Sequence, residues 1–354
     1  MFSRRFLLTV TGILPGLTSS DAEEFESALM KFIDSRELPL YKMMAYHLGW
    51  VDQNGESEPV TNQDRSHGHM VLAVSKAAGG ENRAAMPYAV ASELLHNFIL
   101  VHEDVQNANT ERNRRPSIWW SWGPAQAINA GDGIHAMARI SIFEQRKSSG
   151  RPADPQLISM ALETLDNATL EVCEGEYLDI SYQERAAINI EDILTVARKR
   201  GAILGCAAKL GGIAAATSDD LLDSLTQFGT AIGTARNLNT DLRALWPQED
   251  IERDEVQRGR LQSKKKSLAA AHAIENGTPV TRRRLGEIFM KRVLGPDDID
   301  EVTSILVETQ SKSFAENIVK DLINEASDAI ESTNFSDEHK TSLIDCAKLI
   351  VDSN

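Results

Sequence analysis

The chain is poor in sulfur, poor in aromatics and without any block of positive charge. Its three cysteines, Cys173, Cys206 and Cys346, lie far apart and form no Cys-x-x-Cys pair, so neither a disulfide framework nor a cysteine zinc site is indicated and a reducing compartment fits best. Basic residues number 37 against 52 acidic ones, a formal balance of −15, and no basic tract is sustained. That removes the electrostatic footprint of a duplex nucleic-acid binder. The longest unbroken apolar run falls well short of the roughly 20 residues that cross a bilayer, so no integral membrane segment is expected. What remains is ordinary globular composition: 354 residues, 42% hydrophobic and 25% charged, enough to bury a sizeable core without staples.

At the amino terminus Ser3-Arg4-Arg5 precedes the apolar stretch Phe6 to Leu17 and the small residues Thr18, Ser19 and Ser20. This is the outline of a short export signal. The alternative is a lead-in to the first helix, interrupted by Gly12, Pro15 and Gly16. Residues 1–20 are accordingly set aside as an extension, residues 21–354 are read as one domain, and a cytoplasmic location is expected.

From Asp21-Ala22-Glu23-Glu24 onward, apolar residues recur at helical spacing through Phe25, Leu29, Phe32 and Ile33. Similar stretches run over Met86 to Glu103, Pro124 to Gln145, Pro155 to Tyr182, Ile190 to Ala216, Ser218 to Leu245, Lys264 to Glu275, Thr281 to Leu294 and Asp297 to the end. No stretch alternates in the manner of a strand, so the class is all-α with no sheet. Short breaks at glycine, proline and asparagine predict antiparallel neighbours in a bundle.

Chemistry concentrates between Glu93 and Asp132. On a helix Glu103 and Asn107 share a face with Asp104 beside them, a surface that can hold oxygen-liganded cations. Arg112, Arg114 and Arg115 then gather positive charge in a turn suited to phosphate. A phosphorylated, magnesium-bound ligand could sit there; a solvated acidic helix end followed by a basic loop would read the same.

This stretch resembles the trans-isoprenyl diphosphate synthase (polyprenyl synthetase) family. The family motif Asp-Asp-x-x-Asp, paired arginines and Gly-Arg-Pro-Thr has its counterpart in Glu103-Asp104-Val105-Gln106-Asn107, Arg112-Asn113 and Arg114-Arg115-Pro116-Ser117. The flanks Glu93-Leu94-Leu95-His96-Asn97-Phe98 and Gln126-Ala127-Ile128-Asn129-Ala130-Gly131-Asp132 also match, as do Gly175-Glu176-Tyr177-Leu178-Asp179, Lys199 before Gly201-Ala202, Asn237 to Trp246, and Lys265-Lys266-Ser267-Leu268. The resemblance implies a single bundle of long helices around a deep apolar cavity. At its mouth two acidic faces bridge magnesium ions to the diphosphate of an allylic substrate. It implies metal-ligand and catalytic roles for Glu103, Asp104 and Asp241, with Asn107 and Thr240 at further ligand positions. Arg112, Lys199 and Lys265, with Arg236 near them, would be the diphosphate cations, and Arg200, Lys264 and Lys266 could add charge.

Departures from the pattern are informative. Asn107 brings no charge, and the second motif, Asn237-Leu238-Asn239-Thr240-Asp241, keeps one carboxylate, so magnesium binding is expected to be weakened or lost. Where the family binds isopentenyl diphosphate through Gly-Lys-Arg-x-Arg-Pro, this chain has Gln63-Asp64-Arg65-Ser66-His67-Gly68, and a carboxylate there would repel a diphosphate. The first expectation is therefore a terpene synthase (lyase) that ionises a C10–C20 allylic diphosphate and lets the cation cyclise or lose a proton. The alternatives are a prenyltransferase (a short-chain prenyl diphosphate synthase) with altered metal ligands, and a silent subunit or isoprenoid-binding partner. A homodimer, or a heterodimer with a homologous synthase, is expected from the family. Phe98 and Ile99 lie roughly 6 to 8 Å down the helix from Glu103 and could floor the cavity or simply belong to the core. Trp119, Trp120 and Trp122 read as helix packing rather than as cation stabilisers, and His102 as a weak candidate base.

Overall fold

The computed structural model describes residues 12–58, 63–144, 154–183, 185, 188–247, 265–291 and 294–353. Within them the chain forms α1 (Ser19–Asp34), α2 (Pro39–His47), α3 (Ser66–Ala77), α4 (Asn82–Gln106), α5 (Ile118–Trp122), α6 (Pro124–Phe143), α7 (Pro155–Gln183), α8 (Ile190–Ala214) and α9 (Asp219–Leu245). The remainder is α10 (Leu268–Asn276), α11 (Pro279–Phe289), α12 (Pro296–Glu308), α13 (Ser311–Glu331) and α14 (Asp337–Asp352). The all-α expectation holds with one correction: β1 (Glu111–Arg112) and β2 (Arg115–Pro116) pair antiparallel as a minimal hairpin where no sheet was expected. Two-residue strands carry no period for a sequence pattern to reveal.

Local chemistry explains most boundaries. Thr18 and Asp21 form a capping box that starts α1, and Asn189 with Asp192 does the same for α8. The division at residue 20 thus falls inside α1. Ahead of it Leu14 is buried, the Pro15 carbonyl accepts from the Cys346 thiol, and Lys76 donates to the Gly16 carbonyl, so residues 14–17 pack on α14 and α3. Ser3-Arg4-Arg5 and the start of the apolar stretch lie outside the described residues, as does Lys264.

Three helices lacked a sequence signature, the five-residue α5 being too short for any period. In α3 every residue except Lys76 is buried, so it has no polar face to give an amphipathic period. The nine-residue α2, opened by Pro39, is too short for one. The stretch from Asp297 onward divides into α12, α13 and α14.

Helix α8 is the hub, packing on α9, α7, α3 and α4, while α4 also lies along α6. The seam between α8 and α9 is set by glycine: a Cβ on Gly233 would stand 2.6 Å from the Cα and carbonyl oxygen of Gly201. Arg200 lies one residue before Gly201 on that seam and feels the charge of Glu103 at the acidic end of α4. One contiguous apolar core, with Phe25, Tyr88 and Phe228 fully buried, joins helices from α1 to α14. Among the described residues α4 is the helix long and apolar enough to cross a membrane by length and composition, but 78% of that window is buried inside the protein.

Gly233→Ala tests the seam. The new methyl group meets backbone, not a yielding side chain, and is expected to cost about 1–3 kcal/mol despite the better helix propensity of alanine. Urea denaturation reads this, and a variant as stable as the parent would contradict it.

Candidate active site at the end of α4

Helix α4 ends in two buried carboxylates, Glu103 and Asp104. The hairpin that follows folds Arg112 back on them. Its Nε lies 3.0 and 2.9 Å from the two Asp104 oxygens, and its Nη2 lies 2.7 Å from Asp104 Oδ1 and 3.1 Å from Glu103 Oε2. Asn109 donates a further bond to Asp104. Burial, the largest influence, pushes the Asp104 carboxyl up against the pull of Arg112. The two carboxylates hold the Arg112 guanidinium above its ordinary range, so it remains charged although buried.

The hairpin is built to aim that arginine. Asn113 and Arg114 both adopt left-handed φ, 53° and 61°, which gives the tight two-residue reversal between strands. Arg115, its partner across the hairpin, lies over the ring of Tyr46 at 4.1 Å and donates to the carbonyls of Tyr46 and Val51. Tyr46 returns a bond to the Pro116 carbonyl. Trp119 donates to the Asn109 carbonyl and Trp122 packs edge-on against Tyr46, while Trp120 is exposed. Trp119 and Trp122 thus brace the loop as packing residues, and Trp120 meets Trp119 edge-on.

A second cationic position comes from α8, at Arg200. Its guanidinium contacts Glu176 at 2.7 Å and Asp179 at 2.9 Å, both on α7, and feels the charge of Glu103. Lys265 reaches the same Asp179 at 2.6 Å. Lys265 and Asp241 in turn line one small cavity with Ser267, Phe289 and Leu294. Carboxylates and cations therefore alternate from α4 through α8 and α7 to the segment before α10. Lys199, the lysine singled out from the sequence, instead sits on the outer side with Glu171 and Glu174 at 2.8 and 2.6 Å. Arg236 is also elsewhere, binding Asp64 and Ser66. Lys266 donates to the carbonyls of Tyr182 and Gln183.

Of the other ligand positions, Asn107 is half-buried just beyond α4, and the Thr240 hydroxyl donates to the Arg236 carbonyl. Asn237 and Asn239 spend their amides on the carbonyls of Gly233 and Val351. These donors do not suit a three-ion cluster. They fit a reduced cation site, because the Arg112 guanidinium already occupies the Glu103–Asp104 face as a bound cation would. Glu103 and Asp104, with Asn107 nearby, would hold magnesium on that side, and Asp241 on the other. Phe98 packs between His102 and His135, with centroids at 4.7 and 5.0 Å, and Ile99 is partly buried against the core. His102 faces Asp132 at 3.6 Å.

Below the mouth lies a buried polar cluster that spacing alone did not reveal. Arg65, the arginine of the degenerate segment, is locked between Glu26, the Leu48 carbonyl and, at 3.7 Å, Glu93. Glu26 also accepts from Trp50. Asp64 pairs with Arg236, and His67 stacks on His96 with centroids 3.8 Å apart. Burial pushes Glu93 up to about 7, and pushes His47 down to about 3 and His69 and His96 down to about 4.

A family model described as polyprenyl synthetase matches residues 64–306. The (2E,6E)-farnesyl diphosphate synthase of Mycobacterium tuberculosis is 26% identical over 330 residues, covering 92% of this chain and 89% of its own. A solved polyprenyl synthetase from Streptomyces coelicolor superposes with a TM-score of 0.83 at 24% identity over 96% of this chain and 99% of its own. A geranylgeranyl pyrophosphate synthetase from Pyrococcus horikoshii gives 0.80 at 26% identity, covering 95% and 97%.

Two outcomes are expected. The lowered histidines His47, His69 and His96 bind protons on unfolding below about pH 6.5, whereas the raised Glu93 releases one between about 4.5 and 7. Those four groups give a net uptake of about two protons on unfolding near pH 5, and the buried His67, also held low, adds to it, so stability falls as pH drops from about 6.5 toward 4. Denaturation midpoints that stay flat over that window would contradict it. Restoring carboxylates with Asn107→Asp plus Thr240→Asp should tighten magnesium-dependent pyrophosphate binding at least about tenfold by calorimetry; an unchanged affinity would place the ion elsewhere.

Proposed function

The chain belongs to the polyprenyl synthetase family, and on that premise we propose that it is a prenyltransferase acting on an allylic prenyl diphosphate, with an altered set of metal ligands. The observation that carries the proposal is the line of cations Arg112, Arg200 and Lys265 interleaved with carboxylates at the end of α4. When the allylic C–O bond breaks, its electron pair leaves with the diphosphate and an allylic cation remains. Arg112, Arg200 and Lys265 are placed to neutralise that leaving group in a partly buried setting, where such charges act strongly. Transfer is completed when the π bond of an acceptor attacks the cation and the new cation loses a proton, which the departed diphosphate can accept. A magnesium ion bound there would supply further charge neutralisation to the leaving group.

The relatives named above are prenyl diphosphate synthases, and that supports isopentenyl diphosphate as the acceptor. A second reading, ionisation of a C10–C20 diphosphate without isopentenyl diphosphate as a terpene synthase does, is favoured by one specific observation. The segment that should grip the second diphosphate presents Asp64 tied to Arg236, and its Arg65 is consumed by Glu26. Phe98, an aromatic packed between His102 and His135 about one and a half turns before Glu103, would favour short substrates under either reading.

Incubation with geranyl, farnesyl or geranylgeranyl diphosphate, with and without isopentenyl diphosphate, separates the two. Elongated prenyl diphosphates support transfer; a hydrocarbon or alcohol formed without the acceptor supports the second reading; no turnover with any substrate would overturn both and leave a silent subunit. Arg200→Gln should lower kcat by about 100-fold, the scale of losing one preorganised charge at a leaving group, while Lys199→Gln stays within about threefold. The reverse ranking would move the diphosphate to the outer face of α8.

A further inference from the structure

We propose that Asp64, His67 and His96 form a binding site for one divalent transition metal of the zinc, cobalt or iron class, separate from the acidic mouth. The three side chains come from the approach to α3, its first turn and the middle of α4, and each offers a ligand atom within 4.8 Å of the others. His96 lies seven residues before Glu103, about 10 Å down α4, so this is not the carboxylate face again. Two imidazoles and one carboxylate select borderline cations over magnesium, which prefers oxygen alone.

Surrounding groups fit the outer layer that such sites need. Asp64 Oδ1 accepts from the Ser66 backbone N–H at 2.9 Å, and Oδ2 accepts from Arg236, which also donates to Ser66 Oγ. Each carboxylate oxygen keeps a second lone pair, and ligating carboxylates are ordinarily held by hydrogen bonds of this kind. Ser66 Oγ lies 3.4 Å from His67 Nδ1, where it helps set the ring. Both imidazoles are held neutral by burial, which leaves lone pairs available at neutral pH. A tetrahedral site with bonds near 2.05 Å places its ligand atoms about 3.3 Å apart. The stacked rings of His67 and His96 must therefore turn toward one another, and side-chain rotation is the movement required. Bound there, the ion would staple α3 to α4 at the place where the family segment has a lysine.

The test uses the full-length protein, stripped with chelator and returned to buffer with excess magnesium so that the carboxylate mouth is occupied. Cobalt(II) is titrated while visible absorption and calorimetry are recorded. The expected result is one cobalt per chain with the intense ligand-field bands of an imidazole-containing site, a rise in Tm with cobalt or zinc, and at least tenfold weaker binding in His96→Ala and in Asp64→Asn. Paramagnetic broadening of the His67 and His96 ring protons in the unsubstituted protein covers the case in which a variant fails to fold. Absence of binding, or binding that survives both substitutions without broadening either ring, would overturn the site.

Discussion

The grip of Arg112 on Glu103 and Asp104 is the interaction on which the rest of the site depends. A buried guanidinium and two buried carboxylates are costly to desolvate, and once assembled each is costly to leave alone, at about 3–5 kcal/mol for a stranded partner. The backbone is shaped to this end. A hairpin reverses through Asn113 and Arg114 in left-handed φ, and Arg115, Tyr46, Trp119 and Trp122 fix it from behind. At Arg114 the family motif has glycine, the residue that accepts such a conformation without strain, whereas an L side chain bears about 1–2 kcal/mol there. Strain in the loop and charge pairing at its base therefore offset one another, and the arginine is delivered to the end of α4.

Around this pair, among the described residues, cations and carboxylates of the mouth alternate. Arg200 joins α8 to Glu176 and Asp179 of α7, and Lys265 shares Asp179 from the segment before α10. The glycine contact between α8 and α9 sets how close these two helices run. On the proposed function, a diphosphate entering the mouth would exchange carboxylate partners for its own oxygens, like for like in hydrogen bonding. Deeper in, the residues that would hold a second diphosphate have been redirected into a core network of Arg65, Glu26 and Glu93 and into the pair of Asp64 with Arg236.

The long helices were legible in sequence because their apolar faces repeat with the helical period and their caps are local. Helix α3 was not, since a helix buried on all sides has no period to detect. The acidic end of α4 and Arg112 were visible as a motif. The choice between Lys199 and Arg200 was not, because neighbours on a helix differ by about 100° in direction and only the packing of α8 on α7 decides which one faces inward. The Asp64, His67 and His96 group was equally hidden: its members come from α4, α3 and the residues just ahead of α3, and no spacing along the chain relates His96 to the other two.

Calorimetric titration with an unreactive thio-analogue of farnesyl diphosphate bears most directly on the proposal that the mouth holds a diphosphate head. Binding at one site per chain is expected, weakened at least tenfold by Arg112→Gln and by Arg200→Gln and little changed by Lys199→Gln. No heat of binding with or without magnesium, in protein whose circular dichroism is that of the folded helical bundle, would contradict it.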